Sequence, residues 1–322
     1  MIVRSCAPWL AFVVLPNVLC GQGLRGTIRD STSGLAVPAA VISTVGLPDS
    51  LTRRVLSDAT GIYRIQLPDG ARRIRVVRIG FRPRTIDVPA ASDQSVDIRL
   101  ERLPTMLERV RVNDQPNCSR RSDRATALAL WEQARAGLLA TVVARDENQA
   151  RLKRFNYYRI IGEERATILS QVVTTEEVRN GRPFGAARSA SYFVSHGFRD
   201  DSGSYPTFYA PDADVLLDES FTKAYCFHVA EADERHPGAI GLGFEPAHSR
   251  AGRVDIAGTV WIDSTARSLS DIQFQYRGLP RDEQLLRLGG RVSFRVMPAG
   301  FTIIDRWSMQ LPAHTAPPSR SP

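Results

Sequence analysis

The stretch Asp58-Ala59-Thr60-Gly61-Ile62-Tyr63-Arg64-Ile65-Gln66-Leu67-Pro68-Asp69-Gly70 sets a turn signature on each side of an alternating apolar run. Asp-x-x-Gly before the run and Pro-Asp-Gly after it are residues that reverse a chain. Tyr63, Ile65 and Leu67 between them point to one side of a strand. A chain built around such a unit folds as antiparallel sheet, and nothing in the unit is catalytic.

The same grammar runs from Gln22 to about Val112. Strand-like segments fall at Leu24–Arg29, Val37–Thr44, Leu51–Ser57, Gly61–Leu67, Arg72–Ile79, Thr85–Val88 and Ser95–Leu100, with turn residues between them. Strands recurring at this spacing without a helical period predict a small β-sandwich. This region holds fifteen arginines against nine acids, whereas residues 113–322 are nearly neutral. An excess of that size could suit anionic lipid head groups, acidic glycans or nucleic acid; the favoured reading is a solvated sandwich face with Arg at outward positions, and no nucleic-acid partner is expected.

The series Gly26-x-Ile28-x-Asp30, Gly34, Pro38-x-Ala40-x-Ile42, Asp58-x-x-Gly61-x-Tyr63-x-Ile65 and Leu67-Pro68-x-Gly70 resembles the carboxypeptidase regulatory-like domain. The resemblance implies a transthyretin-like, seven-stranded sandwich grouped with carbohydrate-binding-like folds, and it brings no catalytic residues. Val76-Val77-Arg78-Ile79-Gly80-Phe81 continues it. Leu107-x-x-Val110-x-Val112 is similar to the segment that joins such domains to the plug of TonB-dependent receptors. The repeated alternating hairpins of a membrane barrel do not follow here.

The expected organisation is a signal peptide over 1–21, the sandwich over 22–103, a linker over 104–122, an α+β domain over 123–312 and a disordered tail over 313–322. Arg4 followed by the apolar stretch Ala7–Leu19 reads as an export signal. Cleavage is expected near Leu19-Cys20-Gly21; lipidation of Cys20 is the lesser alternative, because Leu19 stands where a small residue would be expected. Export predicts a periplasmic or outer-membrane-associated protein with no spanning helix in the mature chain. It also leaves two cysteines, Cys118 and Cys226, as a candidate disulfide.

In the second domain, Ser122 reads as an N-cap for a helix over Arg124–Arg145. Leu128, Trp131, Ala134, Leu138 and Val142 make its apolar face. Strands are expected at Lys153–Ile161 and Ile168–Val178, then at Ile256–Asp263, Ser268–Tyr276, Arg291–Met297 and Phe301–Met309. The fold class is therefore mainly β, with one long helix against a curved antiparallel sheet. The pattern Gly258-x-Val260-Trp261-Ile262-Asp263, with Trp307 near the end, is loosely similar to the half-barrel of periplasmic lipoprotein carriers.

Two side-chain groupings invite a functional reading. Tyr192, Phe193, Phe198, Tyr205, Phe208 and Tyr209 could line a ligand groove, or pin a long loop to the core. His228 and Glu231 have the His-x-x-Glu spacing that places two ligands on one zinc ion, with His236, His248 or His314 as the third. The bland alternative for His228, Glu231, Asp233, Glu234 and His236 is a solvated turn. Asp200, Asp201, Asp212, Asp214, Asp218 and Glu219 lack the strict spacing of a calcium loop. Nucleophile elbows, phosphate-cradling loops and dinucleotide fingerprints are missing from the sequence. The expectation is a non-enzymatic envelope protein without a cofactor that binds glycan, lipid or an outer-membrane protein; the alternative is a zinc hydrolase using His228 and Glu231.

Overall fold

The computed structural model describes residues 22–88, 94–104, 124–147, 152–162, 167–178, 188–248, 250, 252–281 and 283–312. The expected signal peptide with Cys20, most of the linker with Cys118 and Ser122, the Leu107–Val112 segment and the expected tail lie outside these residues.

The first eight strands are β1 (Gln22–Asp30), β2 (Val41–Val45), β3 (Arg54–Leu56), β4 (Ile62–Leu67), β5 (Arg73–Val77), β6 (Arg84–Asp87), β7 (Gln94–Ser95) and β8 (Ile98–Leu100). In one sheet β1 pairs antiparallel with β4 and parallel with β7 and β8. The other sheet runs β3-β2-β5-β6. The expected last strand of the sandwich is split into β7 and β8. Strand β4 behaves as its alternation dictates, with Tyr63, Ile65 and Leu67 buried and Ile62, Arg64 and Gln66 exposed. The turn before it forms because the Asp58 carboxylate accepts the amides of Thr60 and Ile62 at 2.8 and 2.9 Å. Gly61 completes that turn at φ +79, and a Cβ there would sit 2.5 Å from the Ile28 carbonyl oxygen. Ile28, Ile42, Ile65, Ile74 and Ile98 form the centre of the sandwich core.

Helix α1 (Arg124–Asp146) follows, then the two-stranded ribbon β9 (Leu152–Ile161) and β10 (Ile168–Val178). The ribbon pairs with itself in unbroken register from Ser170–Ile160 to Val178–Leu152. Its large apolar side chains are exposed on both faces, including Phe155, Tyr158, Ile161 and Leu169 at 53, 56, 55 and 67%.

The rest of the chain comprises α2 (Ala190–His196), β11 (Arg199–Asp200), β12 (Thr207–Phe208), α3 (Ala213–Leu217), α4 (Glu219–Ala224) and a six-stranded antiparallel meander. Its strands are β13 (Tyr225–Val229), β14 (Ala239–Pro246), β15 (Asp255–Asp263), β16 (Ser268–Arg277), β17 (Gly289–Val296) and β18 (Thr302–Gln310). The region from α2 to α4 begins with Arg188–Pro211, whose composition predicts an aromatic loop but which holds α2, β11 and β12. Its three helices are one or two turns long, and Ser189, Asp212 and Asp218 cap them by accepting the amides of Tyr192, Val215 and Ser220. Capping, not calcium ligation, is thus the work of Asp212 and Asp218, while Asp214 accepts from Arg145 at 2.7 Å and Glu219 pairs with Lys223 at 2.7 Å.

Helix α1 binds the two halves together. Its Leu130, Ala134 and Leu138 are fully buried and share one apolar cluster with Val41, Val77 and Ile79 of the sandwich and Leu242, Ile262 and Leu269 of the meander. Gly137 permits this double contact, since a Cβ there would lie 2.6 Å from Ile79 Cδ1 and 2.7 Å from Leu269 Cγ. Polar contacts follow the same seam. Gln133 Oε1 accepts the buried amide of Gly80 at 2.7 Å, and Arg75 pairs with Glu132 at 2.7 Å. Arg78 donates to the carbonyls of Pro38 and Arg267 at 3.0 and 2.9 Å. Burial, with Arg267 nearby, pushes the Arg78 guanidinium down to about 10, which keeps it charged at neutral pH.

Candidate functional site

The meander has two chemically opposite faces. One runs toward α1 and carries Leu242, Phe244, Val260, Ile272, Phe274 and Val292, all buried. Period-two alternation sends the intervening residues outward. The register aligns them in rows, of which one reads His228–Gly243–Thr259–Gln273–Arg291–Ser308 across all six strands.

Strand β14 prepares this outer face. Its apolar residues Leu242 and Phe244 turn inward, while Gly241 and Gly243 turn outward and leave room above the backbone. The Trp261 indole fills the first gap, with Cζ3 2.8 Å from where a Gly241 Cβ would stand. The His228 ring fills the second, 2.3 Å from the corresponding point on Gly243. Both rings therefore lie low against the sheet.

A buried ionic network sits beside them. His236 Nε2 is 3.0 Å from Asp271 Oδ2, and Nδ1 is 3.3 Å from Asp233 Oδ2. The side chains of His236 and Asp271 are 2% and 1% exposed, so the polar groups must satisfy one another. Asp271 also accepts from Ser270 at 3.0 Å, Gln273 at 3.1 Å and Arg291 at 3.1 Å. Hydrogen bonds from the Arg235 side chain and amide hold the Asp233 carboxyl well below the usual carboxylate range.

Next to this network opens a pocket of about 560 Å³. Outward residues of β15 and β16, among them Thr259, Gln273 and Gln275, form its floor, together with Gly289 and Gly290 of β17. Arg235, Arg277, Arg287 and Arg291 surround it, against one carboxylate, Glu245, and Ser308 and Gln310 close the β18 side. Arg287 reaches the rim from the turn before β17, where its backbone adopts φ +49.

The residues singled out in the sequence fall in different places. His228 lines the pocket, whereas Glu231 is exposed in the connection after β13. Among the described residues, no three of His, Cys, Asp and Glu are arranged to hold a metal ion. His236 is not part of a solvated turn: it is buried in the network with Asp271. Of the six aromatics, Phe193 and Phe198 are fully buried and stack at 4.4 Å, and Phe208 packs against Tyr276 at 5.1 Å. Tyr192 and Tyr209 are half-buried against that cluster, and Tyr205 is 52% exposed. Cys226 is buried at the start of β13. The pocket arginines escaped the sequence reading because they converge only once β14 to β18 are paired. Outward polar residues on successive strands were the available signal.

Residues 23–101 match the family model of the carboxypeptidase regulatory-like domain. The N-terminal sandwich is a carboxypeptidase regulatory-like domain. This domain stops short of α1, so the pocket belongs to a part of the chain outside the match. No curated protein matches the chain significantly. No helix of the described residues is long and apolar enough to cross a membrane.

Proposed function

We propose that the chain is an exported, non-enzymatic protein of the cell envelope, in which the carboxypeptidase regulatory-like domain braces a meander that binds a polar ligand on its outer face. The observation that carries this reading is the pocket of about 560 Å³, a size typical of small-ligand sites, walled by arginines, amides and hydroxyls. These groups bind and orient. The opposite face of the sheet is filled by α1 and its apolar partners, where an apolar cargo would otherwise lie. The reading places the protein in the periplasm or at the outer membrane, with Met1–Gly21 removed on export and a glycan, lipid or envelope protein as partner. Pairing of Cys118 with Cys226 belongs to it, and the burial of Cys226 supports that pairing. Closing a loop of more than a hundred residues would stabilise the fold by about 4–5 kcal/mol.

Native mass spectrometry on protein purified from the periplasm tests all three parts. The expected species lacks the first twenty-one or so residues, carries one disulfide and retains a bound polar ligand after mild desalting. A full-length, reduced chain recovered from the cytoplasm would remove the export reading.

A further inference from the structure

We propose that the pocket on the outer face of the meander takes an acidic oligosaccharide, a sugar chain carrying at least two anionic groups. This rests on the reading that this face binds a ligand. The charge argument comes first. Four arginines and one glutamate line the pocket. Arg235 spends its charge on Asp233, with Nη2 2.9 Å from Oδ2, and Arg291 spends its own on Asp271 at 3.1 Å. Arg277 and Arg287 have no ion pair with any described residue. With Glu245 counted, the pocket keeps one net positive charge; its two guanidinium groups without an ion pair repel each other, and each presents a planar fork that matches a carboxylate or phosphate. An anionic ligand removes the repulsion and gains both pairs.

The neutral groups decide between a bare anion and a sugar. Thr259, Gln273, Gln275, Ser308 and Gln310 line the same pocket, and each can both donate and accept. Gln273 already donates to Asp271, which leaves its carbonyl oxygen as an acceptor. A bare anion only accepts, so it would leave the acceptor half of this lining unused. Sugar hydroxyls use both halves, and the pocket is far larger than a single phosphate or carboxylate requires. Gly289, which shares the outward row with Gln275, keeps the floor low because it projects no side chain into that space.

Isothermal titration of the purified chain with trigalacturonate, neutral galactotriose and inorganic pyrophosphate tests the proposal. Trigalacturonate is expected to bind, and its affinity to fall as salt is raised, since exposed charge pairs are screened. The double variant R277Q/R287Q should bind it at least tenfold more weakly while giving an unchanged circular dichroism spectrum. R295Q, which alters an arginine paired with Asp305 outside the pocket, should bind like the parent. Galactotriose binding as tightly as trigalacturonate would overturn the acidic preference yet keep the face as a ligand site. Pyrophosphate binding as tightly would overturn the saccharide. Full affinity in R277Q/R287Q would place the acid elsewhere, and silence from all three probes would remove both the ligand class and the ligand-binding role of the pocket.

Discussion

The imidazole of His236 lies flat on the indole of Trp261, with ring centroids 4.3 Å apart and planes within 5°. The stack joins the β13–β14 connection to the outer face of β15, and Asp271 below fixes the imidazole's azimuth through Nε2. The connection that carries Arg235 is thereby held at the pocket's edge by buried groups, not by its own exposed residues.

That arrangement makes Asp271 the most sensitive position of the face. In D271A, His236 and Ser270 lose an acceptor inside the protein, and Arg291 loses its counter-charge. The expected destabilisation is about 2–4 kcal/mol, read as a lowered urea midpoint. R295Q, which breaks a surface pair, should cost less than about 1 kcal/mol in the same titration.

Gly137 should resist enlargement. Any side chain at this position meets Ile79 on one side and Leu269 on the other. G137V is expected to lose about 1–3 kcal/mol, as overpacked cores do. Because α1 is common to both halves, the parent chain should melt in a single transition by scanning calorimetry. Two separated transitions would mean that the halves fold independently.

Acid should find Asp30 late. Burial alone would raise its carboxyl, but the Thr32 amide, the Arg102 guanidinium and Ser33 outweigh burial and hold it at about 2, below the ordinary 3.8. A carboxyl that titrates lower when folded stabilises the protein fully above about pH 4. That contribution fades as pH falls toward about 2. The D30N variant should be less stable at pH 7, and the gap between the two proteins should narrow between pH 4 and 2. A gap independent of pH would show that the carboxylate charge is not what matters.

The β9–β10 ribbon predicts a dynamic contrast. Two strands without a third, or a covering element, are marginal in water. Its amides should exchange with solvent orders of magnitude faster than those of β15 and β16, which are paired on both sides. Equal protection in hydrogen-exchange mass spectrometry would indicate that the exposed face of the ribbon is covered in solution.

The sequence made some of this architecture plain and hid the rest for physical reasons. Strand β4 and the β15–β16 pair announce themselves because strict alternation survives between good turns. Helix α1 announces itself through Trp131, Ala134, Leu138 and Val142. Its second buried side did not, because that side is made of small residues such as Ala136, Gly137 and Ala140, whose closeness to a neighbour carries no apolar signature. Strand β14 was missed since Gly241 and Gly243 depress strand propensity. The same two glycines make the outer face what it is. Helices α2 to α4 are too short to show a period, and the charged rim required knowing which strands sit side by side.

The shared core around α1 also governs how the chain can be cut. A fragment ending where the carboxypeptidase regulatory-like domain ends would carry Val41, Val77 and Ile79 without the helix that covers them. Those three side chains would form a sticky patch on an otherwise soluble sandwich. The sandwich is thereby one wall of a larger box and cannot be lifted out as a separate module.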